Sequence, residues 1–330
     1  MGETINISRM AELISRDIFH VFNWQRNKIT NCNWKCVEPD RHHTALGTHP
    51  TDAVWYYEEP YEAKRTYIQT DLKSYARKTM SKAKMQASLA SLAKAVECAP
   101  NASEWRGNYY IDEGGAFQVI GLLFIYNHDG DYDDNFPSLL QEPFEGASFK
   151  MKAGTRLMVM GPKLIWELNA IASHIKQYQF EYGLGLQQTP FYPEGKMKQF
   201  RHLSEKRGVA TTIDALFSNV ISFKVKPPDY RGDFQHLHVY YRGGGKTKEE
   251  FLHLIDSFFR YQTIACAEKI FIHHVSTASP NDEAARNFER ARNEIATLYD
   301  VGTAKLDSIE FETLVPVKPG FSATEIGMRS

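Results

Sequence analysis

Apolar positions recur along this chain with two periods, and the switches between them mark its elements. Residues 8–23 carry Met10, Ile14, Ile18, Val21 and Phe22 at helical spacing, which predicts an amphipathic helix. Residues 33–37 predict a short strand, followed by a polar, His-rich turn. Residues 51–58 and 66–72 are rich in β-branched and aromatic residues and predict two strands, with Glu59-Pro60 in the turn between them. Lys82 to Cys98 predicts an Ala-rich helix with Met85, Leu89, Leu92 and Val96 on one stripe, stopped by Ala99-Pro100-Asn101. Phe117 to Tyr126 is an apolar run that suits a buried strand. The order is helix, three strands, helix, strand.

The pattern continues with an acidic, loop-like stretch over 128–150, a strand over Arg156–Met160 and a helix from Pro162 to about Tyr178. The Gly/Gln/Pro-rich passage 183–195 is the best linker candidate. Beyond it, strands at 222–225, 237–241, 270–275 and 309–315 alternate with helices at 247–264 and from 282 to about Tyr299. No internal repeat or low-complexity tract stands out. The expected organisation is α/β throughout, with one domain over 1–189 (core about 8–127) and a second over 190–330.

Composition adds exclusions. Hydrophobic residues make up 42% and charged residues 24% of the 330, which excludes disordered and collagen-like classes. The apolar run Val119–Tyr126 is too short to span a bilayer. The opening MGETINISRM has neither a signal-peptide pattern nor the Ser or Thr that myristoylation wants where Asn6 stands, so a cytoplasmic protein without a membrane partner is expected. Net charge is only −1, but Ala63–Lys94 holds eight basic residues and one acid, whereas Asp112–Ala147 holds eight acids and no Lys or Arg. A polyanion would favour the first stretch and avoid the second; solvated faces are the simpler account of both.

The candidate chemistry lies in residues 49–75. Asp52 opens one predicted strand, and Asp71-Leu72-Lys73 closes the next. Alternate strand residues share a face, so Asp71 and Lys73 point together and Leu72 points into the core. A hairpin would bring Asp52 to the Asp71 end. Two carboxylates so placed repel each other, and a hard divalent cation, Mg²⁺ or Mn²⁺, removes the conflict while binding phosphate oxygens.

These residues resemble the signature of the PD-(D/E)XK nuclease superfamily, the restriction-endonuclease-like fold. That signature is an acid, a gap, then Asp/Glu-x-Lys on a neighbouring strand. Here Asp52, preceded by His49-Pro50-Thr51, is the acid, with its proline one residue early, and Asp71-Leu72-Lys73 is the second element with Asp in place of the more frequent Glu. The order of predicted elements over about 8–127 also fits the family's αβββαβ core.

The resemblance implies metal ligation by Asp52, Asp71 and the Leu72 carbonyl, with Lys73 serving catalysis. The family often adds an acid from the first helix. Helical phase puts Asp17 on the rim of the apolar stripe and Glu12 nearly opposite, which favours Asp17. Gln69 shares the Asp71/Lys73 face and is a candidate for touching metal-bound water or the scissile phosphate, or for a polar rim role. Gln86 has weaker support. Arg77, Lys78, Lys82 and Lys84 follow the motif and would contact phosphates.

The function expected is that of a Mg²⁺- or Mn²⁺-dependent nuclease. DNA is the expected substrate, and bacterial restriction or anti-phage defence the setting. A homodimer or partner protein would supply a second cut. Two alternatives remain: a catalytically silent nucleic-acid-binding or scaffold protein on the same fold, or a ligand-sensing α/β protein.

Other motifs are weaker. The four cysteines (Cys32, Cys36, Cys98, Cys266) form no disulfide framework. Cys32 and Cys36 with His42, His43 and His49 suggest zinc, but the paired spacing is absent and packed thiols are the simpler expectation. Gly245-Lys246-Thr247 resembles a P-loop end, yet Tyr240 stands where Gly is needed; a strand-to-helix turn with loose phosphate affinity is expected. Asp129–Asp134 lacks the Gly and Glu of a calcium loop. His273-His274 is expected to be structural, and Trp34, Trp55, Tyr56 and Tyr57 to be core aromatics.

Overall fold

The computed structural model describes residues 2–111, 115–131, 136, 139, 151–183, 187–192, 208–232, 235–276, 282–299 and 306–319. They form two compact units, one of residues 1–165 and 318–330, the other of 166–317. The division falls within a helix, upstream of the Gly/Gln/Pro-rich passage. Residues 184–186 and 193–195 of that passage lie outside the described residues, and Gln187–Pro190 within it forms a strand.

The first unit opens with α1 (Gly2–Val21), then β1 (Gln25–Arg26), β2 (Cys32–Lys35), α2 (Pro39–His42), β3 (Thr48–Thr51), β4 (Ala53–Glu58) and β5 (Lys64–Tyr75). It continues through α3 (Lys82–Cys98), α4 (Ser103–Tyr109), β6 (Ala116–Asn127) and β7 (Leu157–Met160), and α5 (Pro162–Tyr182) begins there. The five-stranded sheet has the order β1-β4-β5-β6-β7. β4 pairs antiparallel with β5, as a hairpin must, and β5 pairs parallel with β6 after the α3–α4 crossover. β2 and β3 form a separate two-stranded ribbon.

Side-chain alternation on β5 sorts the two layers. On one face, Tyr67 packs with Val54, Met85, Leu89, Leu92, Val96 and Trp105, so α3 and α4 cover that side. On the other, Phe19 of α1 stacks edge-on against Trp55 and Phe124, ring centroids 5.3 and 5.9 Å apart. Trp55 and Phe124 lie opposite Ile68 and Leu72 of β5. The apolar stripe of α1 is thus buried as predicted, with Ile14, Ile18 and Phe22 at 1% exposure or less. Trp34, Trp55 and Tyr57 are buried core residues as expected, and Tyr56 is half-buried. Gly121 of β6 lets α3 close on the sheet: a Cβ there would lie 2.8 Å from Val96 Cγ2 and 2.6 Å from Leu157 Cδ2.

The second unit contains β8 (Gln187–Pro190), α6 (Ile213–Phe217), β9 (Val220–Lys226), β10 (His236–Tyr241), α7 (Lys248–Arg260), α8 (Thr263–Cys266), β11 (Lys269–Val275), α9 (Asp282–Leu298) and β12 (Ile309–Leu314). Its sheet has the order β12-β11-β10-β9-β8. β8, β9 and β10 run antiparallel, and β10, β11 and β12 run parallel. Leu237, Val239, Ile270 and Ile272 meet Phe251, Ile255, Phe288 and Ile295 in its core.

The helix expected over 247–264 is two helices. Gln262 adopts a left-handed conformation (φ 56°) and breaks the ladder between α7 and α8. Among the described residues no helix is long and apolar enough to cross a membrane.

Candidate active site at the carboxyl end of the β4–β5 hairpin

The hairpin register sets the site. Ala53 lies opposite Thr70, so the residue before β4 is carried to the level of Asp71. Asp52 Oδ2 accepts the Leu72 backbone N–H at 2.6 Å. The Lys73 ammonium pairs with the Asp71 carboxylate, with the two side chains 34% and 18% exposed. The structure therefore brings Asp52, Asp71 and Lys73 to one spot, on the sheet face that α3 covers.

The backbone around Asp52 is held from three sides. The Asn31 N–H donates to the Asp52 carbonyl (2.9 Å), and Thr70 Oγ1 donates to the Ala53 carbonyl (2.7 Å). The buried Trp34 indole N–H donates to Thr51 Oγ1 (2.8 Å). Residue-by-residue reading of the sequence missed these supports, because each joins segments distant along the chain.

Electrostatics agree with the geometry. Burial and the adjacent Asp71 charge push the Asp52 carboxyl up to about 6, against the opposing pull of the Leu72 amide and Lys73. Burial works to lower the Lys73 ammonium, but the Asp71 and Asp52 carboxylates outweigh it and hold its pKa above the ordinary lysine value. Two carboxylates that resist carrying full charge together are a hard-oxygen donor set suited to a divalent cation.

The other expected residues are placed as follows. Leu72 is half-buried, not in the core, and its amide serves Asp52. Asp17 is half-buried on α1, whose ring contacts put that helix on the Leu72 face, opposite Asp71 and Lys73. Glu12 pairs with Arg26 at 3.2 Å. Gln69 shares the Asp71 face but is fully buried, with Oε1 accepting the Trp105 indole N–H at 2.8 Å. That burial takes it off the rim and away from any phosphate arriving from solvent; its Nε2 has no hydrogen-bond partner among the described residues. Arg77, Lys78, Lys82 and Lys84 are exposed. The Arg77 backbone N–H donates to Asp129 (2.9 Å), and the Lys84 ammonium lies 5.4 Å from the Tyr75 ring centre.

Elsewhere, Gly245 turns the chain at φ 63° into α7, and the Gly245 and Lys246 amides donate to Glu250 (2.9 and 3.1 Å). Those amides are engaged, so the turn is structural and the expected phosphate affinity loses its donors. His273 bonds Glu312 (2.5 Å) through Nδ1 and His238 (2.9 Å) through Nε2, which fits the expected structural role. His174 lies beside this group, 3.7 Å from Glu312. Residues 132–135, 137–138 and 140–150 of the acidic stretch lie outside the described residues.

Comparison with known proteins bears on the fold of the first unit. Residues 1–164 match a family model described as the GAPS4 protein PD-(D/E)XK nuclease domain. No curated protein matches the chain. Nucleases of this superfamily are generally dependent on a divalent metal. The mixed sheet and its flanking helices are thus those of a nuclease domain, and residues 1–164 of the chain belong to the PD-(D/E)XK nuclease superfamily.

Proposed function

We propose that the first unit cleaves phosphodiester bonds of DNA as a Mg²⁺- or Mn²⁺-dependent endonuclease, acting in restriction or anti-phage defence. The observation that carries the reading is the convergence of Asp52, Asp71 and Lys73 at the open end of one hairpin, away from its turn. Asp52 and Asp71 hold the cation, joined by the Leu72 carbonyl. The chemistry such a cation supplies is polarisation of the scissile phosphate and relief of charge on the leaving oxygen.

The protein's own groups do the rest. Asp52 is kept in place by the Leu72 amide, so its carboxylate is aimed before substrate arrives. Lys73 leaves its Asp71 partner to orient the attacking water and to offset negative charge building on the phosphate. Gln69, locked by Trp105, acts as a positioning residue beneath Asp71. Lys78, Lys82 and Lys84, with Arg77, contact backbone phosphates of DNA, and a second copy or partner protein presents the other strand's site.

The test is cleavage of plasmid and linear DNA by the full chain with Mg²⁺ or Mn²⁺, beside Asp71→Ala and Lys73→Ala. Wild type is expected to cut, and each variant to lose at least ~100-fold in rate, the scale of a lost electrostatic contact to the transition state. Equal cutting by wild type and both variants overturns the assignment. DNA binding without cleavage in either metal supports a silent binding protein instead.

A further inference from the structure

A second cluster lies apart from the carboxylates and has different chemistry. Cys36 follows β2, His42 ends α2, His49 lies in β3, and Cys98 ends α3. One ligand atom from each lies within 4.8 Å of every other. The Cys36 and Cys98 sulfurs are 3.8 Å apart, and each is 3.3 Å from His42 Nδ1. His42, His49 and Cys98 are fully buried, and His49 Nε2 has no hydrogen-bond partner among the described residues.

We propose that Cys36, His42, His49 and Cys98 form a tetrahedral structural Zn²⁺ site. The sulfur separation is nearly twice the ~2.05 Å of a disulfide. It matches the ~3.8 Å edge of a tetrahedron built on Zn–S distances of ~2.3 Å. Two sulfurs and two imidazoles are a borderline-soft donor set that selects Zn²⁺ over Mg²⁺, the reverse of the Asp52/Asp71 pair. Four protein ligands leave no open position, which marks a structural centre.

The surroundings fit the role. His42 turns Nδ1 to the sulfurs and Nε2 to Glu97 Oε2 at 3.3 Å. Glu97 is in turn held by the Arg41 guanidinium and the Lys152 backbone N–H (2.6 Å). A carboxylate on the far nitrogen fixes the tautomer that leaves Nδ1 free to bind metal. The Glu38 N–H points at Cys36 Sγ at 3.4 Å, a donor that favours thiolate. The site would staple the β2–β3 ribbon to the end of α3, and β3 runs straight into Asp52.

Metal content of the full chain, purified without a metal-affinity tag, tests this. About one zinc per chain is expected, retained in Asp71→Ala and lost in His49→Ala and Cys98→Ser. Because those variants can misfold, cobalt(II) exchanged into wild type provides a second reading: intense visible bands of tetrahedral Co²⁺ with thiolate charge transfer are expected. Zinc at the level of the buffer blank in wild type, or octahedral-type weak cobalt bands, overturns the proposal. Zinc lost from Asp71→Ala but kept in both cluster variants overturns it equally, by moving the metal to the carboxylates.

Discussion

Burial and the Asp71 charge raise the Asp52 carboxyl, and this makes a prediction for the metal-free protein. A folded-state pKa of about 6 above the unfolded 3.8 means that ionising Asp52 opposes folding. In EDTA, stability should therefore fall as pH rises through about 4 to 6, and Asp52→Asn, whose amide oxygen still accepts the Leu72 N–H, should melt higher than wild type at pH 8. The same variant should lose cleavage. Thermal melts at pH 4 and pH 8 check the first claim, and a lower melting point for Asp52→Asn at pH 8 would count against it. Asp52, Asp71 and Lys73 were legible in the sequence because a hairpin links them by local register. Cys98 was not grouped with Cys36, because 62 positions separate them and only tertiary packing of α3 joins them.

Elements were legible where burial is periodic. β4, β5, β6 and α3 follow their apolar patterns closely. The seven-residue helix α4 was missed, since Ser103–Tyr109 is too short to show a stripe, and β8 was hidden in a Gln- and Pro-containing passage. Close packing between elements gives a further prediction. Gly121→Val puts carbon into space held by Leu157 and Val96, and should cost about 1–3 kcal/mol, read as a shifted denaturant midpoint.

The start of α7 supplies another. Thr247 Oγ1 caps the Glu250 N–H at 3.4 Å, while the Glu250 carboxylate accepts from Tyr241 (2.6 Å), Gly245 and Lys246. Burial opposes ionisation of Glu250, yet these donors outweigh it and hold the carboxyl below its ordinary 4.5. Its stabilisation is therefore present above pH 4.5 and lost as pH falls through the lower folded value. Glu250→Gln should destabilise the second unit at pH 7 and differ less from wild type below pH 4; a gap that widens on acidification would refute this reading.

At the scale of the whole molecule, the division into units follows a route along the chain that composition did not reveal. The expected boundary at 189/190 sits beside Gly- and Pro-rich residues, whereas the packing divides at 165/166, inside the continuous helix α5. Helical periodicity runs unbroken through that point, so the sequence carries no mark of it. The first unit also takes back residues from the far side of the second. The Tyr126 hydroxyl at the end of β6 donates to the Pro319 carbonyl at 2.6 Å, and the Lys318 ammonium reaches the Gly130 carbonyl. Tyr126→Phe should therefore lower the stability of the full chain by ~1 kcal/mol, the size of a typical hydrogen bond, with no change where the second unit melts.

That return has a consequence during synthesis. The ribosome makes β6 well before it makes Lys318 and Pro319, and the entire second unit is translated in between. The nascent nuclease fold must wait for its last tie, so a stalled or prematurely terminated chain would carry the acidic pair and the lysine on an unfinished scaffold.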